Sequence, residues 1–243
     1  MAHFYLNDEL AEAAPGSLVS IVGSEARHAV SVSRIRVGET LSIGNGAGLV
    51  VTGAVVEAQA ARLSIEAVSV RRVPPKTPAL ILVQALAKGG RDELAIQAAT
   101  ELGVDTVIPW ASQRSVVRWD GEKAVKGCAR WSSILREASK QSLRPWVPRV
   151  AQVASTRQLA GLAESNRMLV LEPTAQEPLA ALRADDNRDL VLVVGPEGGI
   201  APGELDALTA AGATPVRLGD PVLRTSTAGP AAIAVLNGVL GRW

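Results

Sequence analysis

Short runs in which apolar and polar residues alternate dominate residues 1–70, whereas longer apolar runs separated by amphipathic stretches fill the rest of the chain. Alternation with a period of two marks strands buried on one face. It predicts strands over Thr40–Ile43, Leu49–Val56 and Arg62–Val70, with Gly44-Asn45-Gly46-Ala47-Gly48 supplying the turn between the first two. One helix interrupts them, with Ser24 as N-cap and Ala29, Val32 and Ile35 on its apolar face, and it ends by Gly38. This part reads as a small antiparallel barrel or sandwich.

The pattern changes at Arg71-Arg72-Val73-Pro74-Pro75-Lys76-Thr77-Pro78, where three prolines without a backbone donor favour an extended linker. The domain boundary is placed there, giving domains over 1–72 and 73–243. Beyond it, apolar strands are expected over Ala79–Ala85, Val104–Pro109, Arg149–Val153, Met168–Leu171, Leu190–Val194 and Thr214–Leu218. Helices fall between them, so this half is an α/β domain with a mostly parallel sheet covered on both faces. The helix over Lys123–Ser142 carries Trp131, Ile134, Leu135 and Ala138 at helical spacing and buries that stripe. A helix from about Thr225 to Leu240 is apolar nearly all round and must be buried, in the domain or in a subunit interface.

Composition narrows the class. The chain has 243 residues, 47% of them hydrophobic and 20% charged, which excludes disordered, collagenous and disulfide-stapled proteins. A lone cysteine, Cys128, makes neither a disulfide nor a zinc cluster, so no metal is expected, and it suits a reducing cytoplasm. It reads as a packing residue. Asp8, Glu9 and Glu12 near the start give no leader pattern, and no run is long and apolar enough for a membrane helix. The 25 basic and 24 acidic side chains nearly cancel, but residues 114–149 hold nine basic against three acidic. That block is either a phosphate-facing surface or a solvated basic helix.

The glycine-rich stretch Gly195-Pro196-Glu197-Gly198-Gly199-Ile200 follows an apolar strand and precedes a helix opened by Pro202 and Glu204. Bare backbone at a strand's C-terminal end is where open α/β sheets bind ligands, although such a stretch can also be only a tight turn. It lacks both the P-loop and the dinucleotide glycine patterns, which disfavours ATP and NAD. Two further loops, Leu171-Glu172-Pro173-Thr174 and Leu218–Ala228, also end strands, and Thr225 or Ser226 could cap the last helix. Three strand ends offering backbone to one ligand make a pocket for a neutral or cationic cofactor.

Gly195-Pro196-Glu197-Gly198-Gly199, Leu218-Gly219 and Val222-Leu223-Arg224-Thr225 together resemble the cofactor loops of the RsmE-type 16S ribosomal RNA (uracil-N3) methyltransferases of the SPOUT superfamily. His28 with Arg34 and Gly38, Lys88, Arg91 and Glu93, Thr100–Val104, Arg114-Ser115, and Glu137-Ala138 with Gln141-Ser142, Arg144 and Pro148 extend the resemblance over nearly the whole chain. It implies a PUA-like RNA-binding β-barrel ahead of an α/β domain whose C-terminal part forms a trefoil knot, a homodimer, and a cytoplasmic enzyme acting on 16S rRNA in the small ribosomal subunit. S-adenosyl-L-methionine would lie against Leu171, Glu172, Gly195, Pro196, Gly198, Gly199, Leu218, Gly219, Val222, Leu223 and Thr225. The chain departs from the family at Ser226, where a glutamate is common, at Ala98, where a lysine is common, and at Ser33, where a leucine is common.

Glu197 is then a possible base, or a cap for the helix that follows; Arg224 could stabilise charge on uracil, hold a phosphate, or form an ordinary ion pair. Arg34, Arg114, Arg136 and Arg144 are expected to contact RNA phosphates. His28 reads as a satisfied surface or core histidine more readily than a catalytic one, and Trp110, Trp119, Trp131 and Trp146 as core unless one stacks on a flipped base. A non-catalytic RNA-binding or assembly protein would use the same barrel and basic block.

Overall fold

The structure is a computed structural model that describes residues 3–183 and 185–243. The chain divides into two compact units, residues 1–75 with Ser139–Val147, and Lys76–Ala138 with Pro148–Trp243.

The first unit is a five-stranded sheet in the order β1-β3-β4-β5-β2, built from β1 (Phe4–Leu6), β2 (Leu18–Val22), β3 (Thr40–Gly44), β4 (Leu49–Gln59) and β5 (Arg62–Arg72). Only β1 and β3 pair in parallel. Alternation does what it predicts: Val19, Ile21, Leu41, Ile43, Val51, Leu63 and Ile65 point into one apolar core. Gly53 in β4 permits a bulge, because a Cβ there would lie 2.1 Å from the Glu66 carbonyl oxygen.

The helix of this unit differs from expectation. It begins after Val22, so Ser24 is not its cap, and α1 (Gly23–Arg27) passes into a π-turn over His28–Val32. Ala29 and Ile35 are buried as expected, but Val32 is 67% exposed. The wider π-turn breaks the 3.6-residue register that would have aligned Val32 with Ala29. Arg34 then takes a left-handed φ of 57°, and the helix stops short of Gly38.

The segment Ser139–Val147, which a division at residue 72 leaves in the second domain, belongs to the first unit. The Gly48 N–H donates to the Pro145 carbonyl at 3.0 Å, the Val147 N–H to the Gly46 carbonyl at 3.0 Å, and the Trp146 indole to the Val73 carbonyl at 2.8 Å. Gly48, at a φ of 94°, leaves room for both Val73 and Trp146, which would lie 2.5 and 2.8 Å from a Cβ. The Lys140 ammonium donates to the Glu25 carboxylate at 3.0 Å in a largely buried pair.

The second unit is a wholly parallel six-stranded sheet in the order β11-β9-β10-β6-β7-β8. Its strands are β6 (Leu80–Ala85), β7 (Thr106–Trp110), β8 (Arg149–Val150), β9 (Arg167–Leu171), β10 (Leu190–Val194) and β11 (Thr214–Val216). β8 and β11 stop earlier than the apolar runs suggested. Among its helices are α2 (Arg91–Glu101), α4 (Thr156–Ala163), α5 (Pro202–Ala210) and α6 (Thr225–Val239). The helix α3 spans Gly121–Gln141.

Successive strand residues serve opposite faces. Leu80, Leu82, Leu192 and Val194 pack with Ile96 of α2, Trp131 and Leu135 of α3, and Ile233 and Leu236 of α6. Val83, Val170, Val191 and Val193 pack with Leu159 of α4 and Leu208 of α5. Burial on both faces explains why these strands read as continuous apolar runs. The all-round apolar helix α6 is buried within this unit, as its pattern required. Trp110 and Trp131 are core residues, with Trp119 edge-on to Trp131 at 5.1 Å. Cys128 is half-buried with its thiol on the Ala151 carbonyl, a packing position, and burial pushes that thiol up.

Trp131→Ala would empty a fully buried site between α3 and the sheet. It is expected to cost roughly 3–5 kcal/mol of unfolding free energy by urea denaturation; a loss below about 1 kcal/mol would contradict this packing.

Candidate functional site

β9, β10 and β11 end at one edge of the second unit, and the loops that leave them converge. They enclose a cavity of about 420 Å³, within the range of small-ligand sites. From the first loop come Leu171, Glu172 and Pro173; from the second Gly195, Pro196, Glu197, Gly199 and Ile200; from the third Leu218, Gly219, Val222, Leu223, Arg224 and Thr225. Every residue expected to hold a cofactor lines this cavity except Gly198. A Cβ on Gly198 would lie 3.6 Å from the Cβ of Arg114, so that residue faces the neighbouring loop instead.

Hydrogen bonds set each loop. The Glu172 N–H donates to the Val216 carbonyl at 3.0 Å, holding the first loop against β11. The second turns at Gly199, whose φ of 72° suits glycine and whose N–H donates to the Pro196 carbonyl at 2.9 Å. Glu204, at the third position of α5, reaches back to the Ala201 N–H, and its other oxygen accepts from the Gln113 N–H at 2.9 Å and the Thr156 hydroxyl at 2.7 Å. The helix therefore opens at Pro202 and Glu204 as expected, with Glu204 serving also as a buried anchor.

The third loop ends on α6, whose N-cap is Arg224 rather than Thr225 or Ser226. The Arg224 carbonyl accepts from the N–H groups of Thr227 and Ala228. Thr225 is buried, and its hydroxyl donates to the Gly195 carbonyl at 2.8 Å while accepting from the Gln84 amide at 2.9 Å.

Two cavity arginines were not assigned from sequence, Arg91 and Arg217. Arg91 donates to the Glu197 carboxylate at 2.9 Å, and the Lys88 N–H donates to the same oxygen at 3.2 Å. Burial pushes the Glu197 carboxyl up, but hydrogen bonds from its own N–H, from Arg91 and from the Lys88 N–H, with the charge of Arg91, outweigh it and hold the carboxyl below its ordinary value. A carboxylate so held is a weak base. Its anchoring by two partners is a local fact that the loop sequence does not contain, since Arg91 is 106 positions away.

Arg114 donates to the Gly198 carbonyl at 3.0 Å and lies within 3.4 Å of that of Ile200, so its guanidinium braces the second loop from outside the cavity. Arg136 is half-buried on α3 in the second unit. Arg34 is exposed and Arg144 half-buried, both in the first unit. Among the described residues no group of three or more His, Cys, Asp or Glu is arranged to hold a metal ion.

Residues 74–237 match the RNA methyltransferase domain family. The chain is 45% identical over 235 residues to the ribosomal RNA small subunit methyltransferase E of Mycobacterium bovis, covering 94% of this chain and 89% of that one. The protein of the same name in Bacillus subtilis is 31% identical over 227 residues, covering 90% of this chain and 89% of that one. Among solved structures, the ribosomal RNA small subunit methyltransferase E of Neisseria gonorrhoeae, bound to S-adenosyl methionine, superposes with a TM-score of 0.87 at 29% identity over 98% of both chains.

Because the folded pKa of Glu197 lies below its unfolded value, its contribution to stability is complete above the ordinary carboxylate range and lost as pH falls through the lowered value. Arg91→Ala removes two causes of that lowering, the side-chain hydrogen bond and the charge. The Glu197 carboxyl should then titrate at higher pH in a carbon-13 NMR titration; an unchanged midpoint would mean that the ion pair does not form.

Proposed function

The chain belongs to the RNA methyltransferase family, with ribosomal RNA small subunit methyltransferase E as its kin, and from that premise we propose that it methylates N3 of one specific uridine in 16S rRNA of the small ribosomal subunit. It is an S-adenosylmethionine-dependent ribosomal RNA methyltransferase. The convergence of three strand-end loops on one cavity is the observation that supports the cofactor, and the choice of uridine N3 rests on the resemblance of Gly195–Gly199, Leu218-Gly219 and Val222–Thr225 to the RsmE-type loops.

The cavity fits the cofactor in size and in chemistry. Leu171, Ile200, Leu218, Val222 and Leu223 offer apolar surface for an adenine ring, and the backbone of Gly195, Pro196, Gly199 and Gly219 offers hydrogen bonds. Glu172 adds a negative charge suited to a cationic ligand, with Thr225 at the base of the site; Gly198 acts on this set through the shape of its loop. When bound, S-adenosylmethionine supplies an electrophilic methyl that passes to N3 as the bond to sulfur breaks.

What the chain itself must do is orient the uracil and stabilise the negative charge that develops as N3 loses its proton. Arg224, exposed at the cavity rim, is the group for that charge. Glu197, tied to Arg91 and weakened as a base, keeps Arg91 in place at the same rim instead of taking the proton, which passes to water. Ser226 offers no carboxylate at the position where relatives often carry one.

The first unit is read as the PUA-like barrel, on the strength of its mainly antiparallel sheet with one inserted helix, and its Arg34 as an RNA contact together with Arg114, Arg136 and Arg144. The C-terminal part of the second unit is read as the trefoil knot: β10 inserts between β6 and β9, and α6 returns to pack on α2, β6 and β10. A homodimer working in the cytoplasm completes the proposal; among the described residues no helix is long and apolar enough to cross a membrane.

The protein, incubated with methyl-labelled S-adenosylmethionine and small subunits from cells lacking this gene, should place label in 3-methyluridine after digestion to nucleosides. Arg224→Ala should lower kcat by roughly 10²–10³ with cofactor affinity little changed. Intact cofactor binding with no label in any ribosomal RNA would turn the reading towards a non-catalytic RNA-binding protein. For Arg34→Ala, RNA affinity should fall and the salt slope should drop by about 1; an unaltered slope would remove Arg34 from the interface.

A further inference from the structure

Gln84 is the one polar residue in β6, and its side chain is completely buried. It does not line the cavity, yet both groups in its hydrogen-bond chain do. Its Nε2 donates to the Ala85 carbonyl at 3.2 Å and to the Thr225 hydroxyl at 2.9 Å, and that hydroxyl donates to the Gly195 carbonyl at 2.8 Å. One amide in the sheet thus joins the end of β6 to the loop after β10 and to the first turn of α6.

The direction of this relay is forced. With its only proton on Gly195, the Thr225 hydroxyl can offer Gln84 nothing but a lone pair, so the amide must present Nε2. The Oε1 atom is then left buried with no partner among the described residues. An unpaired buried acceptor lowers stability, and a methionine or leucine in its place would continue the apolar run of β6 without that penalty. The surroundings leave little slack. A Cβ on Gly229 of α6 would lie 3.1 Å from Leu82 Cδ1, and one on Gly195 would lie 2.7 Å from Ile200 Cγ1. A polar group that costs the fold while holding two cavity residues marks a site requirement rather than a packing one.

We propose that Gln84 is a positioning residue for the cofactor site, holding the Thr225 hydroxyl on the Gly195 carbonyl and so setting the distance between the cofactor loop and the start of α6. The proposal rests on the reading of this cavity as the S-adenosylmethionine site. Gln84 touches no substrate, and its effect passes through Thr225 and Gly195.

The test is a double-mutant cycle on the full chain with Gln84→Met, Thr225→Val and the pair together. S-adenosylmethionine binding is read by calorimetry and thermal unfolding without cofactor by circular dichroism. Gln84→Met should weaken cofactor binding about tenfold, the loss of one oriented hydrogen bond, while its Tm is unchanged or higher. With methyl-labelled cofactor and small ribosomal subunits, its KM for the cofactor should rise and its kcat stay within about twofold. The double variant should bind no more weakly than the worse single one, because either change breaks the same relay.

Affinity of Gln84→Met within twofold of wild type, strictly additive losses, or a Tm that falls along with affinity would overturn the proposal. A Gln84→Met chain that fails to fold, with Gln84→Leu failing likewise, would assign the amide to the core and overturn it too. Wild-type protein that binds no S-adenosylmethionine would instead overturn the cofactor reading itself, and the first titration shows this before any variant is made.

Discussion

The cavity exists because α6 lies hard against β6 and β10, close enough for the Thr225 hydroxyl to reach the Gly195 carbonyl. That approach needs glycine at 229, where any larger residue would press on Leu82 and Val194. It also needs the helix to be apolar nearly all round, since α2, the sheet and the 3₁₀ turn over Leu179–Ala181 all pack on it. A helix with an ordinary polar face would stand further out, the loop over 217–224 would lose its second anchor, and the three strand ends would have no common ligand surface.

Charge at the rim follows from the same closeness. The loops after β6 and β10 leave neighbouring parallel strands, so Arg91 and Glu197 meet although they are far apart in the chain. Their pairing changes what Glu197 can do. A free carboxylate in a half-buried loop would gain basicity from desolvation; one held by a guanidinium and two N–H groups loses it. At the rim of the cavity, Arg91 and Glu197 thus hold each other as a pair of fixed charges. Arg114 shows the same economy in a different place, spending its donors on loop carbonyls.

Much of the strand plan was legible because its cause is local. Leu190–Val194 reads as a strand buried on both faces from its own five residues, and the structure places it in the middle of the parallel sheet with the predicted ends. The stripe of Trp131, Leu135 and Ala138 gave the buried face of α3. Where local signals failed, the reason is equally specific. β1 and β2 are too short to show alternation against their surroundings. The π-turn at His28–Val32 shifted the register that made Val32 look like core. Nothing near Trp146 says that Gly48 and Val73 will receive it.

By itself the sequence determined the two-part plan, the parallel sheet, the three loops at its strand ends and, through its motifs, the family, because hydrophobic period, glycine placement and ordered motifs are properties of neighbouring residues. The tertiary structure alone decided which polar groups meet. It paired Glu197 with Arg91, left Gly198 out of the residues that line the cavity, took Ser139–Val147 into the first unit, and gave a fully buried glutamine in β6 a hydroxyl to hold across 141 positions of chain. Hydrogen bonds and ion pairs act over a few ångströms in space, and a chain brings those partners together only when its apolar surfaces have chosen how to pack.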